Sequence, residues 1–187
     1  MPLSAPAPRT LKHTRTVVCH GYQREDGLWD IEGHITDTKA YSFQNQWRGT
    51  VEPGDPVHDM RIRLTVDDRL TIVKSEAATD ASPFQVCPDI APAFVALEGL
   101  RIGPGWMRAV KERLGGRKGC THLVELLGPV ATVAFQTVFA GKRSRSVDPQ
   151  KRPVMLNNCH AYDEDGETAR RLWPDYFANR DKPQPTD

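Results

Sequence analysis

Long apolar runs are missing. No stretch approaches the roughly 18 consecutive apolar residues of a membrane-spanning helix, and residues 1–9, with three prolines, are too broken for the apolar segment of a secretory leader. Cysteine is sparse and scattered. The four copies, Cys19, Cys87, Cys120 and Cys159, form neither a dense disulfide framework nor a Cys-x-x-Cys pair. Charge of one sign is absent too: 25 Lys+Arg against 24 Asp+Glu leaves +1, which argues against nucleic acid or an acidic membrane as partner. Gly-x-Gly-x-x-Gly, Walker-type and Gly-x-Ser-x-Gly patterns are also missing, which disfavours Rossmann, P-loop and α/β-hydrolase readings. Dispersed thiols without an export signal fit a reducing compartment, so the expected location is cytoplasmic.

What is present suits a small folded domain. With 187 residues, 39% of them hydrophobic, there is material for one core. Residues 1–10 read as a flexible arm, 11–178 as a single domain and 179–187 as a flexible tail. Residues 14–22 form an expected strand, followed by an Asp-Gly turn at Asp26 and Gly27. Trp29, Ile31, Gly33 and Ile35 then alternate with Asp30, Glu32, His34 and Thr36, the period of a half-buried strand. Residues 37–56 carry little pattern and read as a loop. Met60, Ile62, Leu64 and Val66 alternate with Arg61, Arg63 and Thr65, and residues 70–73 return as the partner of a second hairpin.

From Cys87 the texture turns helical. Asp89 is a candidate cap for a helix through Ile90, Phe94 and Leu97. Trp106, Val110 and Leu114 have helical spacing, and residues 120–140 give a further helix that Gly128-Pro129 is expected to kink or break. A short helix around 167–177 contains Pro174, which divides it. Strands early and helices late predict an α+β domain: an antiparallel sheet of about four strands followed by three or four helices packed on one face.

Several residues are equipped for chemistry. His58 shares the parity of Met60 and Ile62 and so points to the core side at the end of a strand, where a neutral imidazole can ligate a metal or act as a base. Asp59 points to the opposite face unless a bulge turns it. Cys120 opens a helix behind Arg117 and Lys118, an environment that favours thiolate. His122 and Glu125 follow on one helical face, and Cys87 also precedes a helix. The first reading is a metal-binding protein with zinc or an iron–sulfur cluster held by His58, Cys87 and Cys120, with His122 or Asp59 as fourth ligand; an open position would make it a metal-dependent hydrolase. The second is a metal-free enzyme in which Cys120 attacks a thioester or other acyl group, with His58 or His122 as base and Glu125 as orienter. The third is a noncatalytic binding module. Arg143 and Arg145, in the basic run 142–152, are candidate contacts to a phosphate-bearing small molecule. His34 reads as solvated, His13 as part of the arm, and the sequence leaves self-association open.

The strings Gly21-Tyr-Gln-Arg-Glu-Asp-Gly-Leu-Trp-Asp-Ile-Glu-Gly33, Pro56-Val-His-Asp-Met60, Gly99-Leu-Arg-Ile-Gly-Pro-Gly-Trp106 and Gly119-Cys-Thr-His-Leu-Val-Glu-Leu-Leu127 resemble a bacterial domain family of unknown function, the one numbered 2889, over roughly residues 10–140. A more distant similarity is to the U-type iron–sulfur cluster assembly scaffolds, which place metal ligands at a strand start and at two helix starts. That resemblance implies ligand roles for His58, Cys87 and Cys120, and for Asp59, although His58 stands where those scaffolds have a cysteine and the glycine expected beside Asp59 is missing.

Overall fold

The computed structural model describes residues 3–140, 151–153 and 155–180. It separates into two compact units, Met1–Gly141 and Lys142–Asp187. In the first, residues 3–12 are exposed and without regular structure. Six strands follow: β1 (His13–Gln23), β2 (Trp29–Lys39), β3 (Phe43–Asn45), β4 (Gly49–Val51), β5 (Pro56–Val66) and β6 (Ile72–Ala81). The main sheet is antiparallel in the order β1-β2-β5-β6, and β3 pairs with β4 apart from it. Helices come after the sheet: a 3-10 helix (Cys87–Leu97), α1 (Trp106–Leu114) and α2 (Thr121–Ala140). This is the expected α+β arrangement.

Alternation decides which face is covered. Ile31, Ile35, Met60, Ile62, Leu64 and Val66 are buried with Leu123, Leu126, Leu127, Val130, Ala134 and Val138 of α2 in one core. At roughly 1.5–3 kcal/mol for each large side chain removed from water, this face supplies much of the drive to fold. The helix lies close to the strands because two glycines make room. A Cβ on Gly33 would stand 2.5 Å from Val130 Cγ2, and one on Gly21 would overlap the Thr137 side chain. The 19 residues Thr121–Phe139 are apolar enough to cross a bilayer by length and composition, but here their buried stripe belongs to the core under the sheet.

Local details depart from the sequence reading in three places. The stretch 37–56 is not all loop: β2 runs on to Lys39, and β3 and β4 form a small hairpin. Asn45 builds its turn by accepting the amides of Trp47 and Arg48 at 2.9 and 3.0 Å, with Gly49 at φ +72°. The segment from Cys87 is a 3-10 helix without a side-chain cap, and Asp89 lies inside its first turn; Pro92, inside it, removes an amide donor that an α-helix would use. Finally, α2 continues through Gly128-Pro129 as one helix. Pro129 is on the exposed side, and its cost of about 3 kcal/mol is less than the burial of Leu126, Leu127 and Val130 around it.

In the second unit, α3 (Glu167–Leu172) and α4 (Pro174–Arg180) separate at the residue before Pro174. Leu156, Ala169 and Phe177 form its small core. Glu164 ties the unit together, receiving Arg152 at 2.9 Å and Arg180 at 3.1 Å. The tail residues 181–187 lie outside the described residues.

Candidate metal centre

The site forms where one row of the sheet meets the start of α2. Register places Arg15 opposite Asp37 and Asp37 opposite His58. Asp37 and His58 share the parity of the buried residues on their strands, and Arg15 that of the half-buried Cys19 and Gly21 on β1, so their side chains rise together on the face that α2 covers. The β2–β5 register shifts between Asp37 and Thr38, and a bulge at such a point re-aims the side chains beside it. The first turn of α2 then lays the His122 ring over His58, with centroids 3.8 Å apart and planes inclined by 32°.

Asp37 is the anchor. Its side chain is 1% exposed and accepts three hydrogen bonds, with a second imidazole at ion-pair distance. The Arg15 fork places Nε on one oxygen and Nη2 on the other, both at 2.8 Å. His58 Nδ1 donates at 3.0 Å, and His13 Nε2 stands 3.0 Å from the other oxygen. Burial alone would push this carboxyl up, but the Arg15 guanidinium and then the His58 imidazole outweigh it and bring the pKa down to about 2. Arg15 is raised in turn by the Asp37 carboxylate, and its Nη1 reaches Glu125 at 2.7 Å.

His58 is the poised group. Burial and the neighbouring His122 ring lower its pKa more than Asp37 raises it, so the imidazole is neutral at pH 7. An ionised carboxylate only accepts, so Nδ1 carries the proton and Nε2 presents a lone pair. Asp37, His58 and His122 each offer a ligand atom, and these atoms lie within 4.8 Å of one another. Two imidazoles and a carboxylate are a donor set that can hold a divalent ion.

The structure distributes the other candidates differently. Cys120 sits just ahead of α2, its carbonyl accepting the Val124 amide at 2.9 Å. Its Sγ is 4.0 Å from His122 Nδ1 and 3.8 Å from Met60 Sδ, beside the three-residue group rather than within it. Glu125 acts on Arg15. Asp59 is on the other face of the sheet, 2.6 Å from His34 Nε2. Cys87 opens the 3-10 helix, half-buried and outside the group. Arg143 and Arg145 lie outside the described residues.

Three contributors escaped the sequence reading. Asp37 continues the buried parity of Trp29, Ile31, Gly33 and Ile35 by one step, just past Thr36, where the alternation visible in the sequence stops. Arg15 has the parity of Cys19 and Gly21 on β1. His13, assigned to the arm, is the first residue of that strand. An acidic residue continuing a buried stripe was the available signal, because a lone buried carboxylate demands partners.

No curated protein and no solved structure matches the chain. A family model described as a protein of unknown function, DUF2889, matches residues 13–136, a span that holds His13, Arg15, Asp37, His58, His122 and Glu125. The chain belongs to that family.

Proposed function

We propose that the protein binds one zinc ion through His58, His122 and Asp37, and that an open fourth position makes it a metal-dependent hydrolase. The observation that carries this reading is the convergence of three ligand atoms within 4.8 Å at a covered sheet end. The ligands are in the protonation states that coordination needs: His58 neutral at pH 7 and Asp37 ionised. Imidazole and carboxylate suit zinc far better than an iron–sulfur cluster, which is held by thiolates. Zinc in such a site lowers the pKa of bound water and polarises a carbonyl. The chain's own part is positional. Arg15 keeps Asp37 charged and fixed, and Asp37 holds the His58 ring beside it. Arg15 is about one-third exposed and already reaches Glu125, so it can yield one Asp37 oxygen to an ion. Four unpaired cysteines support a cytoplasmic location.

One observation favours a second reading. The three hydrogen bonds already on Asp37 occupy both its oxygens and leave it the orienter of His58, the arrangement of an acid–base pair without metal. In that case His122 Nδ1 takes the Cys120 thiol proton, the thiolate attacks an acyl carbon, and the imidazolium returns the proton to the substrate oxygen or sulfur as it leaves as alcohol or thiol; water then frees the acyl group from Sγ as a carboxylic acid.

Metal analysis of the purified full chain decides between them. The zinc reading expects about one zinc per chain, lost in His58→Ala and His122→Ala and kept in His34→Ala. Metal at background level overturns it. Rapid alkylation of Cys120 by iodoacetamide at neutral pH in that metal-free protein would then support the second.

A further inference from the structure

Beside the first group lies a second set of donors of a different kind. The Cys120 thiol touches the Met60 thioether, Sγ to Sδ, at 3.8 Å, and faces His122 Nδ1 at 4.0 Å. Met60 is 1% exposed and Cys120 is half-buried. We propose that Cys120, Met60 and His122 form a three-coordinate site for monovalent copper, a soft annex to the imidazole–carboxylate centre. Because His122 belongs to both groups, the proposal deepens the metal reading and rests on it for that imidazole being a ligand.

Geometry and chemistry agree. In a trigonal-planar site the separation between ligand atoms is √3 times the bond length. Separations of 3.8 and 4.0 Å on two of the three edges correspond to bonds of roughly 2.2–2.3 Å, the length of a metal–sulfur bond. Thioether is a donor that zinc, calcium and magnesium rarely take, whereas thiolate with thioether selects Cu(I). A low-coordinate monovalent ion also needs little water, which fits a site floored by a buried methionine. Binding is an exchange without redox change: the sulfur–hydrogen bond breaks, a sulfur–copper bond forms, and the proton goes to solvent. Since His122 is shared, zinc at the first group and copper at the second compete.

The test uses the reduced, full-length protein under nitrogen, titrated with Cu(I) against bathocuproine disulfonate, whose copper complex is coloured. The expected result is one Cu(I) per chain withheld from the chelator. Cys120→Ser and Met60→Leu should each weaken that retention about tenfold or more while zinc content stays as in the parent. His58→Ala should lose zinc and keep copper, and His122→Ala should lose both. Carboxymethylation of Cys120 in the folded parent, verified by mass, repeats the Cys120→Ser result without a substitution. A chelator that keeps all the copper overturns the proposal, as does unchanged retention in both Met60→Leu and the carboxymethylated protein. Zinc is counted first and then removed with EDTA before copper is added, so stoichiometric zinc with no copper retention overturns this site alone. Copper retention without zinc overturns the zinc reading alone.

Discussion

Strands β2 and β5 carry a histidine–aspartate pair on each face of the sheet. On the face covered by α2, His58 and Asp37 meet at 3.0 Å, with side chains 15% and 1% exposed. On the other, His34 and Asp59 meet at 2.6 Å, with side chains 31% and 22% exposed. The outer contact is the shorter one, yet it carries less. Asp59 shares its charge with Arg61 at 3.6 Å, and His34 also meets the Thr36 hydroxyl at 3.1 Å, all within reach of water. Asp37 has lost its water and is held by Arg15, His58 and His13 together. Distance does not distinguish the two pairs. Desolvation and the convergence of further donors do, because an ion in a low-dielectric site interacts more strongly and costs more to leave unpaired.

The largest test of that contrast is removal of one carboxylate from each face. Asp37→Asn leaves the Arg15 fork and two imidazoles without their charged acceptor in a buried place, and is expected to lower stability by about 3 kcal/mol. Asp59→Asn should cost under about 1 kcal/mol. Urea denaturation of both variants, with slopes compared to the parent, measures the difference. Equal losses would show that burial is not what separates the faces.

The next effect is seen through pH. The Asp37 carboxyl is lowered from 3.8 to about 2 in the folded chain. The folded state therefore binds fewer protons in this interval, and stability is fully present above pH 3.8 and lost as pH falls toward 2. The loss amounts to about 2 kcal/mol and should be missing in Asp37→Asn. His58 has the same sign at a higher pH. Its folded pKa lies below 6.5, so the unfolded chain takes up the proton first and stability declines as pH falls below 6.5. His58→Gln should flatten that part of the profile.

How much of this was legible beforehand follows from which interactions are local. The two long hairpins could be read because alternation and the Asp26-Gly27 turn are written in neighbouring residues, and α1 because Trp106, Val110 and Leu114 repeat at helical spacing. His58 and His122 were legible as chemical residues on covered faces. Their meeting was not, since 64 positions in sequence (122 − 58) separate them and only the close seating of α2 over Gly33 brings them together. Of the kink or break expected at Pro129, the break does not occur, because the penalty is local and the burial that outweighs it is tertiary. The thiols show the same limit: a cysteine at a helix start has one sequence signature whether other chemistry-bearing side chains stand beside it, as around Cys120, or it lies apart from them, as Cys87 does. The site's anchor, Asp37, sat one residue past an assigned strand end.

The smallest expected effect concerns the outer pair itself. A double-mutant cycle on His34→Ala and Asp59→Ala isolates their coupling from the rest of the sheet. Two part-exposed groups with Arg61 and Thr36 as alternative partners are expected to couple by about 0.5 kcal/mol, decreasing further in 1 M salt, where the Debye length shrinks to about 3 Å. The corresponding cycle on His58→Ala and Asp37→Ala should give a coupling several times larger and nearly independent of salt, since the ions that screen the outer face do not reach a carboxylate with 1% of its surface exposed. If the outer coupling matched the inner one, or if both faded equally with salt, the donors gathered around Asp37 would be ordinary surface electrostatics, and the case for that side of the sheet as the functional one would rest on the positions of His58 and His122 alone.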